Sequence, residues 1–277
     1  MIIPCNVSPS IACLDLSEKG MKRLIEFASG KAEEYRNNRP FPHLVIDNLF
    51  PDEVLDRVLQ DISLQQHEFG KTSRTTGSKF ATRDPWALGP TACRFLLDLN
   101  SGGICRFLEE LAGIPGLISD PYYYGGGIHE IKSGGFLKMH TDFNWHEKLN
   151  LDRRLNMLVY LNRDWKENWG GDLELWNSDM SRREVKISPV FNRTVIFSTT
   201  DYSYHGHPDP LKCPESITRK SIALYYYTNG RKAGETKFKK STRTNYQQRP
   251  GESFGVKAAL KKRLLPILAD VSRRLRG

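Results

Sequence analysis

The pattern of apolar positions divides the chain into a helical first part and a β-rich second part. Residues 20–38 have helical composition, and the prolines of "RPFPHLVIDNLFP" end that helix before "HLVIDNL", which predicts a short strand. Residues 51–63 predict a second helix, because acidic residues come early and the apolar residues form one stripe. "ACRFLLDLNSGGICRFLEELAG" predicts two more helices, separated at Ser101-Gly102-Gly103. We therefore expect a helical support region over about residues 15–115.

After residue 120 the apolar runs become short and are separated by Gly, Asn, Asp and Pro. This spacing predicts strands of an antiparallel sandwich or barrel. The eight runs are "GGIHEIK", "FLKMHTD", "LNMLVYLN", "DLELWN", "REVKI", "TVIFST", "YSYHGH" and "SIALYYYT". Eight strands fit a jelly roll, although a β-sandwich without an active site would have the same strand count. The predicted fold class is mainly β with flanking helices (α+β), in which N-terminal helices pack on a jelly-roll core over about 120–230.

The last part of the chain, residues 231–277, has a different composition. It carries 14 Lys and Arg against 3 Asp and Glu, a net charge of +11, whereas the whole chain carries +9. Because the rest of the chain is then slightly acidic, we expect no nucleic-acid partner. Apolar residues near the end recur at helical spacing, which predicts an amphipathic helix at the end of a basic extension. That helix would pack on the barrel, lie on an anionic membrane, or bind an acidic partner or substrate carrier.

Composition places the chain among ordinary globular proteins, with 39% hydrophobic and 26% charged residues in 277. The first twenty residues have no basic head followed by an apolar run, so we expect no secretory signal. The five cysteines are scattered and form no CxxC pair, which argues against a disulfide framework. We therefore predict a cytoplasmic protein with one domain over residues 1–230 and the extension after it.

A candidate metal site begins at His140 and Asp142 in "FLKMHTDFNWHEKL". Side chains at i and i+2 of a strand project from the same face, so both residues would point to one place. Two histidines and one carboxylate suit iron(II) and leave three coordination positions open. The third ligand would be His146, His205 or His207. A His-x-Asp pair alone is weak evidence for a metal site, since such pairs are also common on surfaces and in cores.

Arg219 strengthens the candidate site, because it lies 14 residues after His205 at the start of the apolar run "RKSIALYYYT". A buried guanidinium must be paired, and its planar fork suits a carboxylate. The partner would be either a carboxylate cosubstrate or an acidic residue of the protein itself.

These residues together resemble a known family. His140, Asp142, His205 and Arg219, with "YLNRDW", "WGGDLELW" and "FNRTVIFST" between them, resemble the iron(II)- and 2-oxoglutarate-dependent dioxygenases of the prolyl 4-hydroxylase-like branch. The resemblance covers about residues 40–230. It implies that His140, Asp142 and His205 hold the metal, and that His207 lies near it without binding it.

The resemblance also assigns the cosubstrate pocket. It implies that Arg219 and Tyr160 bind the far carboxylate of 2-oxoglutarate and that Ser221 assists them. His129 would reach the other end of the cosubstrate or be an ordinary strand histidine. His146 would lie on the substrate side or at the surface.

The implied function is a hydroxylase. Iron(II), 2-oxoglutarate and O2 would oxidise an unactivated carbon of an amino acid, a prolyl peptide or another small metabolite, with release of succinate and CO2. The intact Asp142 favours hydroxylation over halogenation, which needs a small residue at that position. Aromatic residues near the site would shape a substrate pocket or fill the sandwich core: Phe143, Trp145, Trp176, Tyr202 and Tyr204. The alternative function is a non-catalytic jelly-roll module that binds or senses a ligand.

Overall fold

The protein is described by a computed structural model that covers residues 14–63, 73, 75–77, 79–82, 84–232 and 240–252. The described residues of the first part of the chain form four α-helices, as the sequence predicted. They are α1 (Glu18–Asn37), α2 (Asp52–Ser63), α3 (Pro90–Leu99) and α4 (Gly102–Ala112), and short 3₁₀ helices span Pro85–Ala87 and Glu167–Trp169. The amphipathic helix predicted near the end of the chain lies outside the described residues.

The helix boundaries follow from capping side chains. Ser17 caps α1 by accepting a hydrogen bond from the backbone N–H of Gly20. Ser101 likewise accepts from the N–H of Ile104, and α4 ends at Gly113, whose φ of 68° lies in the left-handed region. The break predicted at Ser101 is therefore the start of a new helix.

The strands form two sheets that face each other. The strands are β1 (His43–Asp47), β2 (Lys79–Thr82), β3 (Ile118–Ser119), β4 (Gly127–Ile131), β5 (Leu137–Thr141), β6 (Trp145–His146), β7 (Leu151–Tyr160), β8 (Leu173–Trp176), β9 (Arg183–Ile187), β10 (Arg193–Ser198), β11 (His205–His207), β12 (Arg219–Thr228) and β13 (Asn245–Tyr246). The larger sheet has the order β1-β10-β7-β12-β4-β2, with β3 on β12 and β6 on β7. The smaller sheet has the order β13-β5-β11-β8-β9.

Every pairing within these sheets is antiparallel, and strands distant in the chain lie side by side. The pairing of β5 with β11 aligns His140 with His205, which are 65 residues apart in sequence. All eight strand runs predicted after residue 120 are present, and the predicted jelly-roll fold class is confirmed.

The large sheet separates two apolar clusters. Its outer face packs on the four helices in one extensive core that includes Leu55, Phe95 and Leu108. Its inner face meets the smaller sheet, where a second cluster forms around Phe41, Tyr160 and Phe197. Tyr160 and Phe197 of this cluster also line a cavity between the two sheets.

Residues 240–252 pack against the jelly roll. β13 pairs with β5 and aligns Tyr246 with His140, and Gln247 donates a backbone hydrogen bond to Met139 O at 2.8 Å. Lys138 forms an ion pair with Glu252. The domain boundary at residue 230 stays a prediction, but this part of the predicted extension belongs structurally to the smaller sheet. Among the described helices, none has the length and apolar character needed to cross a membrane.

Candidate active site

Three side chains converge where β5 and β11 lie side by side. His140 Nε2 is 3.6 Å from Asp142 Oδ1, and His205 Nε2 is 3.4 Å from Asp142 Oδ2. One donor atom from each residue lies within 4.8 Å of the others, and all three side chains are largely buried. Among the described residues, this is the one group of its kind that could hold a metal ion.

The hydrogen bonds of the two histidines leave one nitrogen of each available. His140 Nδ1 donates to Lys138 O at 2.8 Å, and His205 Nδ1 donates to Ser203 O at 2.9 Å. Since a carbonyl oxygen only accepts, both Nδ1 atoms carry a proton, and in a neutral ring the Nε2 lone pair is then the one that can bind a metal. With bonds of about 2.1 Å, neighbouring donors on one octahedral ion lie about 3 Å apart. The observed separations and the two-histidine, one-carboxylate donor set therefore fit iron(II).

Asp142 is held in place by two donors from β7. Arg153 Nη2 donates to Asp142 Oδ2 at 3.0 Å, and Asn156 Nδ2 donates to the same oxygen at 2.8 Å. Arg153 also donates to Asn156 Oδ1, so the three side chains form one network. Burial alone would raise the pKa of Asp142, but the Arg153 charge and the two histidines hold that pKa well below its usual range. The carboxylate is therefore ionised and oriented, as a metal ligand must be.

A cavity of about 220 Å³ extends from the three ligands to a buried arginine. Arg219, on β12, donates from Nε to Gly171 O at 2.8 Å and from Nη2 to Tyr160 Oη at 3.3 Å. Burial raises the pKa of Tyr160 although the Arg219 charge opposes the rise, so this phenol stays protonated at neutral pH. No acidic side chain forms an ion pair with Arg219 among the described residues, which leaves its charge available for an anion in the cavity.

Gly171 permits this position of Arg219. Its φ of 78° is left-handed, and a Cβ there would lie 2.6 Å from Leu211 Cδ2 and 3.1 Å from Arg219 Cδ. Gly206 has a similar role between His205 and His207, because a Cβ would lie 2.8 Å from Leu137 O on β5. The glycines of "WGGDLELW" and "HGH" thus allow close packing around the cavity.

Residues 126–227 match the family model of the 2OG-Fe(II) oxygenase superfamily. The chain carries a 2OG-Fe(II) oxygenase domain. The predicted enzyme class is confirmed, and so are iron(II), 2-oxoglutarate and O2 as metal, cosubstrate and oxidant.

Two solved structures show the same fold as this oxygenase. One is a prolyl hydroxylase from Trichoplax adhaerens in complex with a peptide fragment of the hypoxia inducible factor oxygen degradation domain. It has 19% sequence identity, a TM-score of 0.54, and coverage of 76% of this chain and 93% of that chain. The other is a prolyl 4-hydroxylase from Phytophthora capsici, with 15% identity, a TM-score of 0.54, and coverage of 86% and 74%. The chain thus has the same fold as these two prolyl hydroxylases.

The structure of the oxygenase places the other predicted residues as follows. Ser221 lies two residues after Arg219, lines the cavity and is buried. His129 also lines the cavity, and its Nε2 donates to Gly125 O at 3.1 Å. His207 lines the cavity without belonging to the candidate metal group. His146 is buried among Tyr122, Tyr124 and Tyr227 and does not line the cavity, so it is not a surface residue.

The aromatic residues named from sequence divide into two groups. Phe143 lines the cavity, together with Tyr225, which sequence reasoning did not single out. Trp176 packs with Tyr204 in a small cluster outside the cavity, and Tyr202 is exposed. Trp145 lies under the ammonium of Lys240. Phe143 is therefore the member of this set of five that lines the site cavity.

Besides Tyr225, sequence reasoning missed three residues that contact the proposed metal ligands. Arg153 and Asn156 hold Asp142, and Tyr246 packs its ring against His140 with centroids 5.5 Å apart. A buried arginine inside the apolar run "LDRRLNMLVY" was a signal, since such a charge needs a partner. Nothing local in "STRTNYQQRP" marks Tyr246. The membrane or acidic-partner contact proposed for the terminal helix concerns residues outside the described ranges.

Proposed function

We propose that this oxygenase is a hydroxylase of an unactivated carbon in an amino acid, a prolyl peptide or another small metabolite, with release of succinate and CO2. His140, Asp142 and His205 hold iron(II), and Arg219, Tyr160 and Ser221 bind 2-oxoglutarate. One observation carries the proposal: the His-Asp-His group and the buried Arg219 line the same cavity. 2-Oxoglutarate would span that cavity, with its keto acid group at the metal and its far carboxylate at the Arg219 guanidinium.

Each protein residue has a distinct task in this proposal. Arg219 and the Tyr160 hydroxyl fix the far carboxylate of the cosubstrate, and Arg153 and Asn156 keep Asp142 in one orientation. The rings of Phe143 and Tyr225 both contact the Arg153 guanidinium, with centroids at 4.4 and 3.4 Å from it, and would limit the access of water. When bound, iron and 2-oxoglutarate supply the oxidising chemistry through O2 reduction and decarboxylation.

Arg153 also supports the proposed substrate class. It lines the cavity and is 1% exposed, and its Nη1 has no hydrogen-bond partner among the described residues. A buried N–H without a partner is costly, so a substrate oxygen that accepts from it would bind favourably. Amino acids and peptides carry such carboxylate or carbonyl oxygens. The peptide bound to the Trichoplax enzyme is consistent with this class of substrate.

The test is anaerobic incubation with iron(II) and 2-oxoglutarate, which should give the weak visible charge-transfer band of a chelated ferrous ion. Wild type should show the band and His205→Ala should not, whereas His43→Ala, a buried histidine away from the cavity, should retain it. Absence of the band in wild type, or its persistence in His205→Ala, would contradict the metal assignment.

Substrate class is tested by succinate release. Candidate amino acids and prolyl peptides should stimulate the conversion of 2-oxoglutarate to succinate above the uncoupled rate, and the hydroxylated product should gain one oxygen atom by mass spectrometry. A protein that binds iron and 2-oxoglutarate but never produces succinate would instead be a binding or sensing module.

A further inference from the structure

His207 is a buried histidine without hydrogen bonds. It is 4% exposed, and neither Nδ1 nor Nε2 has a partner among the described residues. The other five histidines in the described ranges each have at least one bonded ring nitrogen, to a backbone carbonyl or a backbone N–H. Since buried polar atoms are almost always bonded, His207 calls for an explanation outside the protein's own contacts.

His207 lies in the same cavity as the residues proposed to bind the cosubstrate. It lies two residues after His205 on β11 and lines the same cavity as Arg219, Tyr160 and Ser221. Burial lowers the pKa of His207 well below its usual range, and the charges of Arg219 and Lys79 lower it further. His207, Arg219 and Lys79 line the same cavity, and the two positive charges make this part of it favourable for an anion.

Packing alone gives no reason for a histidine at this position. An unbonded buried imidazole is less favourable than an apolar side chain of similar size, because its nitrogens lose their hydrogen bonds to water. His207 is also not a member of the candidate metal group, whose three residues complete the expected donor set. His207 lines two cavities, and in the one that it shares with Arg219 and Tyr160 a ligand would supply the missing partner.

We propose that His207 is a further cosubstrate-binding residue, whose ring N–H donates a hydrogen bond to the far carboxylate of 2-oxoglutarate beside Arg219 and Tyr160. This inference rests on the proposed function. It does not depend on the protonation state of the ring, because a neutral imidazole has one N–H donor and a charged one has two. His207 would thereby increase the preference of the site for a dicarboxylate over a keto acid with an apolar tail.

The test compares two keto acids that differ at the far end. 2-Oxoglutarate has a carboxylate there, whereas 2-oxopentanoate has the same chain length and a methyl group. Binding of each acid to the iron(II)-loaded protein is measured by anaerobic calorimetry for wild type, His207→Leu and His207→Gln. A hydrogen bond to a charged group corresponds to about tenfold to a hundredfold in affinity. We expect His207→Leu to weaken the binding of 2-oxoglutarate by that factor. The affinity for 2-oxopentanoate should change by less than about threefold.

Further measurements distinguish loss of the proposed hydrogen bond from other causes of a lower affinity in His207→Leu. His207→Gln keeps a donor and should restore part of the affinity for 2-oxoglutarate. The control His43→Gln alters another buried histidine and should leave both affinities unchanged. Without ligand, His207→Leu should melt at or above the wild-type temperature, because it removes an unbonded polar group.

Two results would overturn the inference about His207. One is His207→Leu binding 2-oxoglutarate within about threefold of wild type, and the other is an equal loss of affinity for both acids. A wild-type protein that binds neither acid in the presence of iron(II) would instead overturn the proposed function, and this inference with it.

Discussion

β7 and β12 lie side by side in the large sheet, and their two faces differ in what they contact. The face toward the helices is almost wholly apolar and belongs to the main core: Leu155, Met157, Val159, Ile222, Leu224 and Tyr226. The face toward the smaller sheet lines the cavity and carries most of the polar groups: Asn156, Leu158, Tyr160, Arg219, Ser221, Ala223 and Tyr225. Because successive side chains of a strand point to opposite faces, each of these two strands packs on the helices with one face and lines the cavity with the other.

This difference shows how the oxygenase keeps a polar cavity inside a stable fold. The helix-facing side chains supply apolar burial and contact no candidate ligand. The cavity-facing groups bind one another, as Arg153, Asn156 and Asp142 do, or keep unbonded atoms, as His207 does. Substitutions at adjacent positions of one strand should therefore affect either stability or binding, and rarely both.

The largest effect on stability is expected from Leu155→Ala on the helix face. Leu155 is fully buried, and its truncation would remove apolar burial and leave a cavity that costs about 2–5 kcal/mol of unfolding free energy. Chemical denaturation measures this loss. Iron and 2-oxoglutarate affinities of the folded fraction should stay within about threefold of wild type. A large loss of metal affinity would mean that the two faces are not independent.

Asn156→Ala, one residue further along β7, should have the opposite profile. It removes one of the two donors to Asp142 and should weaken iron(II) binding by about tenfold to a hundredfold. The unfolding free energy should fall by about 1 kcal/mol, less than in Leu155→Ala, which serves as the control from the other face. Anaerobic metal titration checks the affinity. Unchanged iron affinity would show that Arg153 alone is sufficient to orient Asp142.

Much of the fold and the centre of the site could be predicted from the sequence because they follow short-range rules. Strand alternation brings His140 and Asp142 to one face, and the order of apolar runs predicted the strands. The partner of that pair was less accessible, because His205 is 65 residues away and reaches it through the pairing of β5 with β11. Resemblance to a family supplied that step, whereas local spacing left three histidines as candidates.

Arg153 could not be placed by alternation. Counting in twos from Asn156, Leu158 and Tyr160 would assign Arg153 to the helix face. The register between β7 and β12 shifts, however: Tyr226 is aligned with Leu155 and Tyr227 with Arg153, so the position of Arg154 falls between two aligned pairs. That shift returns the Arg153 side chain to the cavity. Such an irregularity, like the pairing of β13 with β5, depends on tertiary contacts that no local pattern encodes.

Gly171→Ala should affect the cosubstrate end of the cavity. Its Cβ would contact Leu211 and Arg219, and displacing the guanidinium should weaken 2-oxoglutarate binding by about tenfold while leaving iron affinity unchanged. Gly170→Ala is a matched control, since Gly170 also has positive φ, 69°, but a Cβ there has nothing within 4 Å. Calorimetric titration of both variants with 2-oxoglutarate distinguishes the effect of backbone strain from the effect of the Cβ contact with Arg219. Equal losses in the two would attribute the effect to strain.

The smallest effect is expected for Tyr160→Phe, which tests the two faces with a single oxygen atom. Tyr160 Oη accepts a hydrogen bond from Arg219 at 3.3 Å on the cavity face, whereas Tyr226 Oη donates to Leu99 O at 2.7 Å on the helix face. Tyr160→Phe should weaken the binding of 2-oxoglutarate by about three- to tenfold, because one hydrogen-bond donor to its far carboxylate is lost. Tyr226→Phe should lower the unfolding free energy by about 1 kcal/mol and leave that affinity unchanged. If both variants changed mainly the unfolding free energy, or both changed mainly the 2-oxoglutarate affinity, the two faces of the sheet would not have the separate roles described above.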